Sequence, residues 1–143
     1  MLTRWPEFTY QIGNRPKLYP RNSHPTQTNH SPMKTFEGLS ADMATCIDNC
    51  NACYTTCVIC ISQHPGEKAM ADCIKACLDC IATTRTSVHL MSAGSPLHHQ
   101  ACGLCADACE RCYDTCKDMD NPYCQQCAEA CKRCMESCRA MAA

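Results

Sequence analysis

Between Ala101 and Cys116 five thiols recur at alternating steps of three and four residues: Cys102, Cys105, Cys109, Cys112 and Cys116. A thiol can be a nucleophile, a redox centre, a disulfide half or a soft-metal ligand, and spacing helps to separate these roles. On an α-helix of 3.6 residues per turn this alternation places every sulfur on one stripe. It is the period of a coiled-coil seam, with sulfur where leucine normally sits.

The same alternation returns in three further segments: Cys46, Cys50, Cys53, Cys57 and Cys60; Cys73, Cys77 and Cys80; and Cys124, Cys127, Cys131, Cys134 and Cys138. These stripes take up all eighteen cysteines of the 143-residue chain. Their remaining positions are Met43, His64, Met70, Thr84, Ser87, Met91, His98, Met119 and Met141, with no Leu, Ile, Val or Phe among them. A core chosen for packing would be built from branched aliphatics. This seam is filled for sulfur.

The elements that must carry it follow from punctuation. The pattern predicts a helix over 41–63 capped by Ser40, ended by Pro65-Gly66, and a second over 67–92. Gly94-Ser95-Pro96 reads as a stop, a cap and a first-turn proline for a third helix over 96–119. Asn121-Pro122 opens a fourth over 122–141. Short connections make neighbours antiparallel, so the expected fold is all-α: an up-down-up-down four-helix bundle over 40–143 with a Cys-lined core and a left-handed supercoil.

Residues 1–39 read differently. Pro6, Pro16, Pro20, Pro25 and Pro32 interrupt a polar stretch with no cysteine and no period, which predicts a disordered or extended tail. Met33 offers a second possible start within it. No basic start followed by an apolar run, twin arginine or membrane-length segment is visible, so a cytoplasmic, reducing setting is expected. A net charge of −1 gives no electrostatic footprint for nucleic acid or a membrane surface.

One residue beyond the seam, the first two helices carry a second apolar stripe: Ile47, Tyr54, Val58 and Ile61, then Ile74, Leu78, Ile81 and Val88. The third and fourth carry Glu110, Lys117 and Lys132 at equivalent places. Either the stripe widens the monomer core or it mediates self-association through helices one and two.

A seam of thiols admits several chemistries. Helical geometry does not aim i,i+3 and i,i+4 thiols at one another as a disulfide requires; cross-helix bridges are allowed but a reducing compartment opposes them. Iron–sulfur binding wants closely spaced cysteines on turns, and no such run occurs. A stack of Zn(Cys)₄ sites, each carrying a net charge of about −2, would repel in a dry core. Cu(I) is soft, accepts two or three thiolates, and one ion per thiolate leaves the core neutral. The i,i+4 pairs such as Cys53/Cys57 and Cys105/Cys109 place two sulfurs on one face for an ion between them. With two thiolates per ion the capacity lies between about nine ions without bridging and about eighteen with it. A zinc- or iron–sulfur-binding protein and a thiol redox protein remain the alternatives; no acid, base or nucleophile constellation marks an enzyme.

Segments such as Cys46-Ile47-Asp48-Asn49-Cys50 and Cys73-Ile74-Lys75-Ala76-Cys77-Leu78-Asp79-Cys80 resemble the bacterial copper storage proteins. The resemblance covers about 40–141 and implies a four-helix bundle filled with multiple Cu(I) ions, often as a homotetramer; without an export signal it is closest to the cytosolic branch. It carries all eighteen cysteines over as ligands. A copper donor, either a chaperone or a low-molecular-weight thiol, is then the expected partner. In the antiparallel order Met43, Met91, His98 and Met141 gather at one end beside Thr84 and Ser87, and these are expected to form the mouth. His64, Met70 and Met119 gather at the other. His89 and His99 lie off the stripe and are expected to be solvated.

Overall fold

A computed structural model describes residues 38–143; the expected tail falls almost wholly outside the described residues. Four helices run in order, α1 (Ala41–Gln63), α2 (Ala71–Ser92), α3 (His98–Cys116) and α4 (Pro122–Ala142), with no strand among the described residues. Each packs on its two neighbours and the diagonal pairs keep their backbones apart, giving the expected cyclic up-down-up-down order. Cys46 near the start of α1 meets Cys138 near the end of α4, and Cys60 near the end of α1 meets Cys73 near the start of α2, so neighbours are antiparallel.

The helix ends follow the residues that punctuate them. Ser40 Oγ accepts from Met43 N–H, and the side-chain oxygen of Asn121 accepts from Tyr123 and Cys124 N–H, satisfying donors the first turn leaves free. Gly66 and Gly94 take φ of 76° and 62°, a conformation that costs glycine little and lets the chain reverse after α1 and α2.

Two boundaries differ from the sequence reading. The segment expected as one helix over 67–92 begins as a single 3-10 turn, Lys68–Met70, before α2. The helix expected over 96–119 is shorter at both ends: Pro96 and Leu97 form a turn ahead of α3, and Met119 lies beyond its end. The physical reason is that Ser95 spends its side chain and carbonyl on a local turn, with Oγ accepting from Leu97 N–H and the carbonyl from His98 N–H.

Small seam residues make the bundle narrow. Although α1 and α3 face each other across the diagonal, Cys53 Sγ lies 3.8 Å from Cys109 Sγ; Cys77 and Cys127 of α2 and α4 stand 3.7 Å apart. Leucine at those positions could not let diagonal helices approach so closely. Ala76, Ala106, Ala128 and Ala130 are buried beside the seam and permit close helix packing, above all between α3 and α4. The second apolar stripe of α1 and α2 divides: Ile47 is buried, Ile61, Ile74, Ile81, Val88 and Tyr54 are half-buried, and Val58 and Leu78 stay exposed.

Candidate metal centre

Every one of the eighteen cysteines is buried, none above 1% exposure, and all are free thiols. Their sulfurs form a continuous column along the bundle axis. From the Met43 end the chain of neighbours runs Cys46–Cys138 and Cys50–Cys138, both 3.6 Å, then Cys50–Cys134, also 3.6 Å. Cys53–Cys131 at 3.5 Å, Cys57–Cys127 at 3.6 Å and Cys77–Cys112 at 3.7 Å continue it. Cys60–Cys124 and Cys60–Cys73, both 3.9 Å, and Cys73–Cys116 at 2.9 Å close the far end.

The grouping extends beyond the pairs read off one helix to the sulfurs of facing helices. Only Cys134–Cys138, 3.9 Å, joins two sulfurs of the same helix among the sulfur–sulfur hydrogen bonds of the described residues. The rest join different helices, because thiols one turn apart are separated along the axis while facing helices interleave theirs. Sets of sulfurs within 4.8 Å of one another include Cys50, Cys105, Cys134 and Cys138; Cys53, Cys57, Cys80 and Cys131; and Cys57, Cys77, Cys112 and Cys127. The last set draws one thiol from each helix. Cys102 completes a three-sulfur set with Cys46 and Cys138, nearest the Met43 end.

Burial and sulfur–sulfur contact shift the thiols of the column in opposite directions. Burial pushes Cys102 up to about 11, helped by the negative charge of Cys46 and Cys105. Burial also pushes Cys73 up to about 12, reinforced by its hydrogen bond to Cys116. Deeper in, the sulfur contacts of Cys131 with Cys109, Cys112, Cys127 and Cys53 push it up. Contacts with Cys109 and Cys131 push Cys53 down. Burying a full set of negative charges is prohibitive, which is why burial raises these thiols wherever sulfur contacts do not offset it.

The two ends are not alike. At the first, Met91 is fully buried, whereas Met43, Met141 and His98 are half-buried. Thr84 and Ser87 stand where α2 stops using cysteine: the Thr84 hydroxyl donates to Cys80 C=O at 2.6 Å, while Ser87 Oγ is buried without a partner. His98 Nδ1 donates to Ser95 C=O at 2.7 Å, which fixes the tautomer and leaves Nε2 as the free acceptor. His99, expected to be merely solvated, is exposed but tied: its Nδ1 donates to Met141 C=O at 2.8 Å, linking the start of α3 to the end of α4. Its position one residue past the seam hid this, because the partner is a backbone carbonyl from a distant helix.

At the second end His64 is 5% exposed, with Nε2 3.9 Å from Cys124 Sγ and Nδ1 3.3 Å from Glu67 Oε2. Met70 is buried and Met119 half-buried beside it. The seam pattern found His64, but not Glu67, which reaches it across the Pro65-Gly66 turn.

Such a column is a soft-metal ligand set without a competing oxygen donor at its centre, and the likeness to known proteins points the same way. The family model described as copper storage protein matches residues 33–143. The chain is 39% identical over 98 residues to the cysteine-rich protein YhjQ of Bacillus subtilis (strain 168), a match spanning 68% of this chain and 87% of that one. The structure of the Cu(I)-bound copper storage protein BsCsp3 superposes with a TM-score of 0.68 at 35% identity, covering 71% of this chain and 99% of that one. Apo copper storage protein 3 from Bacillus subtilis gives 0.65 at 36% identity, covering 69% and 97%. A protein of Nitrosospira multiformis gives 0.62 at 33%, covering 71% and 94%. Four antiparallel rods, a core of free thiols and a family match across most of the sequence agree: this chain belongs to the copper storage protein family.

Proposed function

We propose that the protein is a cytosolic Cu(I) store that buffers many ions through the thiolates of its core. The observation that carries this is that all eighteen cysteines are buried and unbridged, with sets of three and four sulfurs from different helices within 4.8 Å of one another. Two thiolates joined by one ion with metal–sulfur bonds near 2.3 Å, the length seen for zinc, stand about 4.0 Å apart at a trigonal angle. The sulfur–sulfur separations of 3.5–3.9 Å along most of the column are close to that. Filling therefore needs side-chain rotation rather than helix movement.

Each Cu(I) that replaces a thiol proton leaves the pair neutral, so the column fills without the charge that would stop a divalent ion from doing so at every level. Capacity then lies between about nine and about eighteen ions. Met43, Met91, His98 and Met141 form the mouth, where thioether and imidazole ligands capture an ion from a donor, a chaperone or a low-molecular-weight thiol, and pass it to the set Cys46, Cys102 and Cys138. The partnerless Ser87 hydroxyl lies where α2 stops using cysteine, on the mouth side of the column.

The exposed Val58 and Leu78 with the half-buried residues around them favour assembly through α1 and α2, as a tetramer if this chain follows the family. Among the described residues no helix is long and apolar enough to cross a membrane. Anaerobic titration with Cu(I), run beside Zn(II) and iron, tests the reading. Uptake of roughly nine or more Cu(I) per chain is expected. Saturation near four ions, or a brown iron–sulfur chromophore, would defeat it.

A further inference from the structure

The end of the column opposite the Met-rich mouth carries a different set of donors. His64 Nε2 lies 3.9 Å from Cys124 Sγ, Cys124 Sγ lies 3.9 Å from Cys60 Sγ, and Cys60 Sγ lies 3.9 Å from Cys73 Sγ. The four come from α1, the turn after it, α2 and α4. A tetrahedral ion with metal–sulfur bonds of about 2.3 Å and a metal–nitrogen bond of about 2.0–2.1 Å holds neighbouring donors about 3.5–3.8 Å apart. Each of the three consecutive separations would have to close by only a few tenths of an ångström.

The imidazole is prepared for this. Glu67 Oε2 stands 3.3 Å from Nδ1, where it accepts the ring N–H and leaves the Nε2 lone pair facing Cys124. Carboxylate, imidazole and metal in that order is the usual outer shell of a zinc-binding histidine. His64 is held at 5% exposure, so the ring has no free rotation into solvent.

We propose that Cys60, Cys73, Cys124 and His64 form a Cys₃His site for one zinc-class divalent ion, with Glu67 as the positioning residue. Binding exchanges three S–H bonds for three metal–sulfur bonds and releases three protons, with no change of oxidation state. The charge objection to a stack of Zn(Cys)₄ sites does not reach this one. Imidazole replaces a thiolate, so the site carries one net negative charge, and it lies at an end where Glu67 is 53% exposed. In the copper-free protein such an ion ties α1, α2 and α4 together where the column meets the turns. Because its three thiolates belong to the column, Cu(I) displaces it when loading reaches that end.

The test uses the full chain, reduced and metal-free, titrated anaerobically with Co(II) alone and then with Zn(II). The expected first equivalent shows the intense d–d bands of a tetrahedral ion with thiolate charge transfer, abolished by one equivalent of Zn(II). His64→Gln should change the d–d envelope and weaken binding at least tenfold, and Glu67→Gln should weaken it 10–100-fold with the envelope kept. Glu129→Gln makes the same charge change at an exposed carboxylate on α4 and should leave Co(II) affinity unaltered. A first equivalent that is octahedral, or whose spectrum and affinity ignore both His64→Gln and Glu67→Gln, overturns the proposal. Glu67→Gln alters an exposed side chain, so it decides the matter even if His64→Gln loses helicity. The Cu(I) capacity of the same preparation is measured separately, so failure here is distinguishable from failure of copper storage.

Discussion

The two ends of the sulfur column use different chemistry for the same task of closing a core. The first end is thioether-rich and loosely satisfied: Met91 is fully buried, Met43 and Met141 are half-buried, and Ser87 Oγ has no partner. The second is anchored: His64 is buried, Glu67 holds its Nδ1, and Cys60, Cys73, Cys116 and Cys124 crowd together beneath it. Weak, polarisable ligands beside an unpartnered hydroxyl suit exchange of a soft ion. A fixed imidazole among crowded thiols suits retention. The contrast teaches that a column of nearly equivalent thiols acquires direction from what caps it.

The largest effect should come from cutting the column between its ends. Replacing Cys109 and Cys112 together with Ser removes two sulfurs that contact Cys53, Cys77, Cys80 and Cys127. Cu(I) capacity should fall while far-UV circular dichroism of the apo protein keeps its helical signal; wholesale unfolding would mean that the thiols serve packing first.

Acidity should matter almost as much. Ions bound at the ends of the column displace protons from thiols whose values are raised, as for Cys102 at about 11 and Cys73 at about 12. Raised values mean that at neutral pH those thiols carry protons that copper must remove, so apparent affinity rises with pH and falls as pH drops. About one proton released per Cu(I) bound corresponds to about tenfold in affinity per pH unit. Competition with a Cu(I) chelator between pH 6 and 8 would read the slope; a flat profile would place the thiolates in the apo protein already.

A smaller and more discriminating change compares the ends directly. Met43, Met91 and Met141 replaced together by Leu should slow loading roughly tenfold, about 1.4 kcal/mol on the barrier, and leave capacity alone. His64→Gln should leave the loading rate unchanged; the reverse pattern would move the mouth to the other end. Smallest of all, Ser87→Ala removes a buried hydroxyl without a partner and should be neutral or stabilise the apo bundle by about 1 kcal/mol, read from the denaturant midpoint. A clear loss of stability would show that the hydroxyl has a partner after all.

Much of this was legible without coordinates where period and punctuation agreed. The three-four alternation placed every cysteine on one face, and Ser40, Gly66, Gly94 and Asn121 marked helix ends through their own backbone chemistry. The start of α3 was misplaced because Ser95 and Pro96 fit a helix cap and a turn equally well, and only the hydrogen bonds from Leu97 and His98 chose the turn. The i,i+4 spacing brings partners such as Cys53/Cys57 and Cys134/Cys138 into one set but is silent about the facing helices, whose sulfurs complete it.

The sequence by itself determined the helices, their antiparallel order and the inward turn of all eighteen thiols, because these rest on a period and on local stop signals along one chain. The tertiary structure alone decided that Cys57, Cys77, Cys112 and Cys127 share one level, that Ser87 is left without a partner, and that Glu67 fixes His64 against Cys124. Those outcomes depend on axial register between rods and on how a four-residue turn folds back, and neither is written in the spacing of any single helix.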